Sequence, residues 1–221
     1  MKGFLFLWCM FLSCSLYAGE FFESMTNAQN AYIEENYIEA CDRLKDAIRF
    51  SWEKVDLQPR NVHFIKGGAS GFNNYMVREE LPFINGEQIH VYLEPIGFTV
   101  KKESDGYIAS LTADYRLVDI NKNVLAEEKG FGDFEYKEIS FFTEISLNMN
   151  FDFEGLVEGK YTLEITIADK LSGKSCTARK DFDFVLKDSK EELATESIEG
   201  TEKRLKKKIE PQMNTDSKIV N

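Results

Sequence analysis

Short runs of alternating apolar and polar residues recur from Asn61 to Leu186, and this strand rhythm constrains the fold of the chain most strongly. Turn residues separate the runs and no helical period lies between them, which favours an antiparallel sandwich over a parallel α/β sheet. About eight strands are predicted, over 61–65, 72–77, 88–93, 108–118, 124–128, 140–151, 161–168 and 177–186. We therefore expect a mainly β protein with an immunoglobulin-like β-sandwich over residues 60–187.

A helical pattern precedes the predicted sandwich. Apolar and small residues at three- and four-residue steps predict a helical hairpin over residues 19–56, broken at Glu35-Asn36 and ended before Pro59. Its spacing of Ala and Tyr resembles one tetratricopeptide-type unit, but such solenoids need about three repeats to bury a continuous core. We expect the hairpin to dock on the following domain or to mediate self-association.

The first residues have the features of an export signal. Lys2 is followed by an apolar run from Phe4 to Leu12 and by a small residue at Ala18, which predicts a signal peptide over residues 1–18 and a periplasmic or secreted protein. The run is shorter than the roughly 20 residues that span a bilayer, so we expect no transmembrane helix in the mature chain. A less favoured interpretation is a lipoprotein anchored at Cys14.

Charge and cysteine content limit the partners and the cross-links. The chain has 27 basic and 38 acidic residues, a formal net charge of −11, which argues against a nucleic-acid partner. Outside the signal, Cys41 and Cys176 form a disulfide in one interpretation, while the favoured interpretation is free, packed thiols. Residues 188–221 contain no aromatic residue and few large aliphatic ones, which predicts a disordered charged tail.

The sequence has no recognisable catalytic or metal-binding motif. Its histidines, His63 and His90, lie in predicted strands without Cys, Asp or a second His at metal-ligand spacing. We therefore expect no cofactor, no metal and no enzymatic activity. Carboxylate pairs that could act in acid–base chemistry are Glu94 with Asp152 and Glu164 with Asp169, but solvated faces are the favoured interpretation.

Two groups of residues are candidates for binding a ligand or partner. Tyr92, Glu94 and Phe98 lie in a segment interrupted by Pro95 and Gly97, and form either an exposed rim or, as we favour, an ordinary strand end. A second group is too aromatic for one face of one strand, so some members are expected to meet a partner or a sugar. This group comprises Phe131, Phe134, Tyr136, Phe141 and Phe142.

Three segments carry a family resemblance: Asn36 to Cys41, Gly86 to Phe98 and Gly159 to Lys170. Over residues 27–186 the chain resembles a family of uncharacterised exported bacterial proteins with an N-terminal helical hairpin and an immunoglobulin-like β-sandwich. The closing hairpin is also similar to the last strands of immunoglobulin-like bacterial modules. The family has no established activity, so the resemblance implies no catalytic residues.

Together these patterns predict an exported, non-catalytic binding or interaction module of the bacterial cell envelope, whose partner is an envelope protein or a glycan. The alternatives are a carbohydrate-binding module, if the aromatic group forms an exposed row, and an envelope hydrolase that uses carboxylates near Glu94.

Overall fold

The computed structural model describes residues 4–79 and 82–186, and only the backbone over residues 4–18. Two helices come first, α1 (Phe4–Ile33) and α2 (Tyr37–Trp52). The strands within the described residues are β1 (Gln58–Ile65), β2 (Phe83–Ile84), β3 (Ile89–Ile96), β4 (Lys101–Glu103), β5 (Gly106–Asp119), β6 (Val124–Glu138), β7 (Leu147–Phe151), β8 (Gly159–Asp169) and β9 (Ser175–Val185). The mainly β class with two N-terminal helices is confirmed.

Both ends of the chain hold predictions that the structure does not test. The backbone of α1 begins at Phe4 and continues through Ala18 without a break, so the first helix starts earlier than the hairpin predicted from residue 19. The signal peptide, its cleavage and the alternative anchor at Cys14 stay predictions. The predicted tail over 188–221 lies outside the described residues.

The break between the two helices lies at Glu35-Asn36, where the sequence predicts it. Glu35 has a φ of 60°, which ends α1, and the Asn36 side chain accepts a hydrogen bond from the Glu39 backbone N–H at 3.4 Å, which caps α2. Four alanines, Ala28, Ala31, Ala40 and Ala47, are buried. Because their side chains are small, the two helix backbones can approach closely.

The strands form two sheets. One has the order β1-β3-β7, and the other has the order β2-β9-β8-β5-β4, with β6 also paired to β5. The pairs are antiparallel except for the two-residue parallel pair of β2 with β9. The predicted antiparallel arrangement is confirmed, while the immunoglobulin-like topology stays a prediction.

Alternating side chains of the two sheets make one shared core. On β8, Tyr161, Leu163, Ile165 and Ile167 are buried, which is the face predicted from their period of two. They join apolar residues of the other sheet in a single cluster, and the ring of Phe64 on β1 meets that of Phe182 on β9 edge-on at 5.9 Å. The sheets therefore pack face to face.

Several strand boundaries differ from the prediction. Residues 72–77 form turns and isolated bridges instead of a strand, and β6 extends to Glu138. The strand predicted over 140–151 begins only at Leu147, and residues 139–146 form an irregular connecting segment between β6 and β7. That connecting segment forms one wall of the cleft described below.

A joint at the end of α2 holds the hairpin against the sandwich. The Trp52 indole N–H donates to the Phe98 carbonyl at 2.8 Å, and the two rings meet edge-on at 5.1 Å. From the β8–β9 turn, the Lys174 ammonium donates to the carbonyls of Val55, at 2.8 Å, and Gly97, at 3.3 Å. Residues far apart in the sequence thereby fix the direction of α2.

Two buried positions explain why this joint is tight. Gly97 has a φ of +73°, and a Cβ there would lie 2.5 Å from the Asp56 carbonyl oxygen, so only glycine allows this approach. The Asp169 carboxylate accepts hydrogen bonds from the Thr99 N–H at 2.7 Å and the Ser172 hydroxyl at 2.7 Å. Burial alone would raise the pKa of Asp169, but these hydrogen bonds lower it below its ordinary value.

Candidate ligand-binding cleft

A cleft of about 590 Å³ lies between α2 and the sandwich. One wall is the face of α2 that carries Lys45, Asp46, Ile48 and Arg49. The opposite wall comprises Tyr107 on β5, Tyr136 and Glu138 on β6, and residues 140–145 of the connecting segment. The volume is within the roughly 300–1,000 Å³ of small-molecule sites.

Local periodicity brings each wall to the cleft. On α2, Lys45, Ile48 and Arg49 are three and four residues apart, so they share one face of the helix. On β6, Tyr136 and Glu138 are two residues apart and share one face of the strand. The joint at Trp52 then sets these two faces opposite each other.

Aromatic rings form much of the sandwich wall. The rings of Tyr107 and Phe141 meet edge-on at 6.1 Å, and the ring of Phe142 lies 6.1 Å from that of the buried Phe98. The Tyr136 hydroxyl donates to the Ser146 carbonyl at 2.8 Å, and burial raises the pKa of Tyr136 to about 12. The phenol is neutral at physiological pH, so it can donate this hydrogen bond, which fixes the ring in the wall.

The charges of the two walls differ in sign. Lys45 and Arg49 outnumber Asp46 on the α2 wall, whereas the charged residues of the sandwich wall are Glu138 and Glu144.

Arg49 has few polar contacts. Its Nη2 atom lies 4.0 Å from the Asp46 carboxylate, and its buried Nε atom has no hydrogen-bond partner among the described residues. The Arg49 side chain is partly exposed, so its Nη groups can donate to an acceptor in the cleft, and hydrogen bonds to charged groups are the stronger ones.

The predicted pair Tyr92 and Glu94 lies elsewhere, on the outer face of the β1-β3-β7 sheet. The Tyr92 hydroxyl donates to the Glu94 carboxylate at 2.6 Å, and the Asn61 amide donates to its other oxygen at 2.6 Å. The Asn73 N–H donates to the Tyr92 hydroxyl at 2.7 Å, and the Tyr75 ring stacks on Tyr92 at 4.0 Å. Desolvation by burial and the hydrogen bond to Glu94 raise the pKa of Tyr92 to about 12.

This network is internally satisfied and nearly closed to solvent, since Tyr92 and Glu94 are both buried. Both carboxylate oxygens of Glu94 already accept hydrogen bonds. Tyr92 and Glu94 therefore belong to a packed structural cluster, as in the favoured strand-end interpretation, and form no exposed rim. Phe98 is separated from the pair and lies in the core beneath Trp52.

The predicted aromatic group is divided. Phe131 stacks on Phe151 at 4.9 Å, and Phe131 and Phe134 both pack against the core. Tyr136, Phe141 and Phe142 line the cleft. The group therefore forms no single exposed row of aromatic rings. The alternative of a carbohydrate-binding module depended on such a row.

Neither carboxylate pair forms a catalytic geometry. Asp152 accepts a hydrogen bond from Gln88 at the start of β3, and Glu94 lies six residues further along, which is about 20 Å in a strand. Glu164 binds Arg116 and Arg179 on the sheet surface, whereas Asp169 accepts its hydrogen bonds in the β8–β9 turn. The acid–base alternative for these two pairs is therefore not formed. The favoured interpretation, solvated faces, is wrong for Glu94 and Asp169, because both carboxylates are buried.

The cysteines are free in the structure, Cys41 exposed on α2 and Cys176 partly buried on β9. Burial raises the pKa of the Cys176 thiol to about 11, so this thiol is weakly nucleophilic at neutral pH. The alternative disulfide is not formed in this structure.

Sequence reasoning missed the α2 wall of the cleft. Lys45 and Arg49 belong to no motif in the sequence, and no local pattern pairs them with Glu138 or Glu144. Within residues 4–79 and 82–186, no three His, Cys, Asp or Glu side chains are placed to hold a metal ion. Of the helices that the structure describes, none is long and apolar enough to cross a membrane.

No family model and no curated protein matches the chain. Among solved structures, it is similar to the Pseudomonas fluorescens alkylpurine DNA glycosylase AlkC bound to DNA containing an abasic site analog. The identity is 9% and the TM-score is 0.31, and the match covers 67% of this chain and 40% of the glycosylase chain.

This comparison corrects three expectations from the sequence: a non-catalytic envelope module with an envelope protein or glycan as partner, a chain that is not an enzyme, and the absence of a nucleic-acid partner. The matched protein is a DNA glycosylase bound to DNA, so we withdraw these expectations. With so low a TM-score and identity, the likeness in turn assigns no fold, activity or ligand to this chain.

Proposed function

We propose that the protein binds a small organic molecule in the cleft between α2 and the connecting segment 139–146. The observation that carries this proposal is the cleft itself: its volume of about 590 Å³ accommodates one small molecule, and it combines aromatic rings with charged groups. Binding sites of this kind join a mostly apolar lining to a few placed polar groups.

The arrangement of the lining supports this proposal. Tyr107 and Phe141 present aromatic edges and faces, which favour a ligand with a planar ring. Arg49 offers N–H donors to an acceptor oxygen of the ligand. Among the described residues, the nearest carboxylate to its Nη2 atom is that of Asp46, at 4.0 Å. The joint around Trp52 holds the two walls in place before the ligand arrives, which reduces the entropic cost of binding.

The test is a screen of monocyclic and bicyclic aromatic fragments by ligand-observed NMR against the full chain and two variants. Ser140→Trp places a bulky ring at the cleft wall, and Ser175→Trp makes the same change at an exposed position of β9 outside the cleft. We expect fragments that bind the wild-type protein and Ser175→Trp but not Ser140→Trp.

Circular dichroism and thermal unfolding of both variants provide the control for folding. A screen in which every fragment signal persists in a folded Ser140→Trp protein would overturn the proposal, as would a screen with no binding fragment at all.

A further inference from the structure

We infer that the ligand of this cleft is a zwitterion: a planar, ring-containing molecule with a carboxylate at one end and an ammonium group at the other. This inference rests on the proposed function and specifies its ligand class. It follows from the opposite charges of the two walls, because a ligand with one charge would complement only one of them.

The α2 wall is suited to the ligand's carboxylate. Arg49 and Lys45 lie on adjacent turns of the helix. Lys45 reaches Asp42 at 3.1 Å through an exposed pair, which is weak in water. The guanidinium of Arg49 is the stronger anchor, because an arginine binds a carboxylate through two parallel N–H···O bonds.

The sandwich wall is suited to the ligand's ammonium group. Glu138 and Glu144 are both exposed to solvent at the cleft. The rings of Tyr107 and Phe141 lie beside them, and the faces of aromatic rings attract cations. Carboxylates and aromatic rings together favour an ammonium group over a neutral substituent.

The competing ligand types fit less well. A simple anion would meet Glu138 and Glu144 and the chain's net charge of −11, both of which repel it. A simple cation would be drawn to the sandwich wall but, among the described residues, would leave the Nη2 group of Arg49 with only the Asp46 carboxylate, 4.0 Å away. Only a molecule with both charges uses both walls.

Three molecules of nearly equal shape test this inference: para-(aminomethyl)benzoate, which is a zwitterion, para-methylbenzoate, which lacks the ammonium group, and para-methylbenzylamine, which lacks the carboxylate. Their affinities for the full chain are measured by NMR titration. We expect the zwitterion to bind about 1.5- to fivefold more tightly than either analogue, the range for solvent-accessible ion pairs.

Two cleft variants assign each charge to its wall. Arg49→Met should remove the advantage of the zwitterion over para-methylbenzylamine, and the double variant Glu138→Gln with Glu144→Gln should remove its advantage over para-methylbenzoate. Arg43→Met is the matched control, because Arg43 lies on α2 outside the cleft and pairs with Glu39. It should preserve both advantages.

The outcomes separate this inference from the proposed function. Equal binding of all three molecules, or no binding of any of them while other fragments occupy the cleft, overturns the zwitterion inference and leaves the small-molecule site standing. Failure of the fragment screen overturns both. Loss of the zwitterion's advantage in Arg43→Met as well as in Arg49→Met would show a long-range charge effect and would also overturn the inference.

Discussion

The sandwich and the hairpin place their apolar residues in opposite ways. In the sandwich, Leu111, Leu163 and Ile167 are completely buried, whereas in the hairpin Ile33 is 70% exposed and Ile38 is 80% exposed. The sandwich buries its apolar surface within itself, while the buried residues of α1 and α2, where their side chains are described, are small: four alanines and Ser24. We infer that the sandwich supplies most of the stability and that the hairpin depends on the joint for its position.

The largest effect should come from the sandwich core. Leu163→Ala removes a fully buried side chain from the shared cluster, and we expect the free energy of unfolding to fall by about 3 kcal/mol, the middle of the range for such cavities. Urea denaturation of the purified protein measures this change.

Leu44→Ala in the hairpin is the matched control for the same chemical change. Leu44 is 43% exposed, so less surface is lost from the folded state and we expect a fall of less than about 1 kcal/mol. Equal effects of the two variants would contradict the contrast between sandwich and hairpin, since they would mean that the hairpin contributes to stability as a core element does.

The next largest effect should come from the β8–β9 turn, where Asp169 reaches Thr99. In Asp169→Asn the side chain loses its charge and one acceptor oxygen, and we expect a loss of about 2 kcal/mol at neutral pH, as for hydrogen bonds to charged groups. Because the pKa of Asp169 is lowered in the folded state, its contribution is present above its unfolded pKa and is lost as the pH falls through the folded pKa.

Urea denaturation at a series of pH values tests both parts of this prediction. The gap between wild type and Asp169→Asn should narrow below the ordinary Asp pKa of about 4. Asp119→Asn is the matched variant, because Asp119 accepts similar turn hydrogen bonds from Asn121 and Asn123 in the β5–β6 turn away from the joint. The hydrogen bond with Asn123 lowers the pKa of Asp119 as well, so its gap should narrow over the same pH range but be smaller at neutral pH, because Asp119 is less buried than Asp169. A gap that stays constant down to acid pH would contradict the role of the Asp169 charge.

The elements that could be predicted are those whose signal is local. The burial of Leu163 and Ile165 follows from a period of two in one strand, and the hairpin break follows from Glu35-Asn36. The short strands β2 and β4 were missed because two or three residues cannot show a period. The turn over residues 72–77 was mistaken for a strand, since its alternating side chains do not reveal the bridge of Gly71 to Asn74.

The cleft could not be predicted for a different reason. Its walls come from α2 and from a segment about a hundred residues later, and they meet only because the joint sets the helix direction, a tertiary constraint that local periodicity does not carry. Tyr136, Phe141 and Phe142 were recognised as an excess of aromatic residues, but their partners Arg49 and Lys45 carry no signal of their own. The sequence therefore showed the aromatic wall of the cleft but not the basic residues of α2 that face it.

The smallest of these effects should appear where the two regions meet. Trp52→Phe keeps an aromatic ring against Phe98 but removes the N–H that donates to the Phe98 carbonyl at 2.8 Å. We expect a loss of about 1 kcal/mol, the net value of one hydrogen bond. Because this bond connects α2 to the sandwich, amide hydrogen exchange should accelerate in the last turns of α2 and remain unchanged in β8. Uniform acceleration in both elements would mean that hairpin and sandwich unfold as one unit, and the contrast between an independent core and a positioned hairpin would then fail.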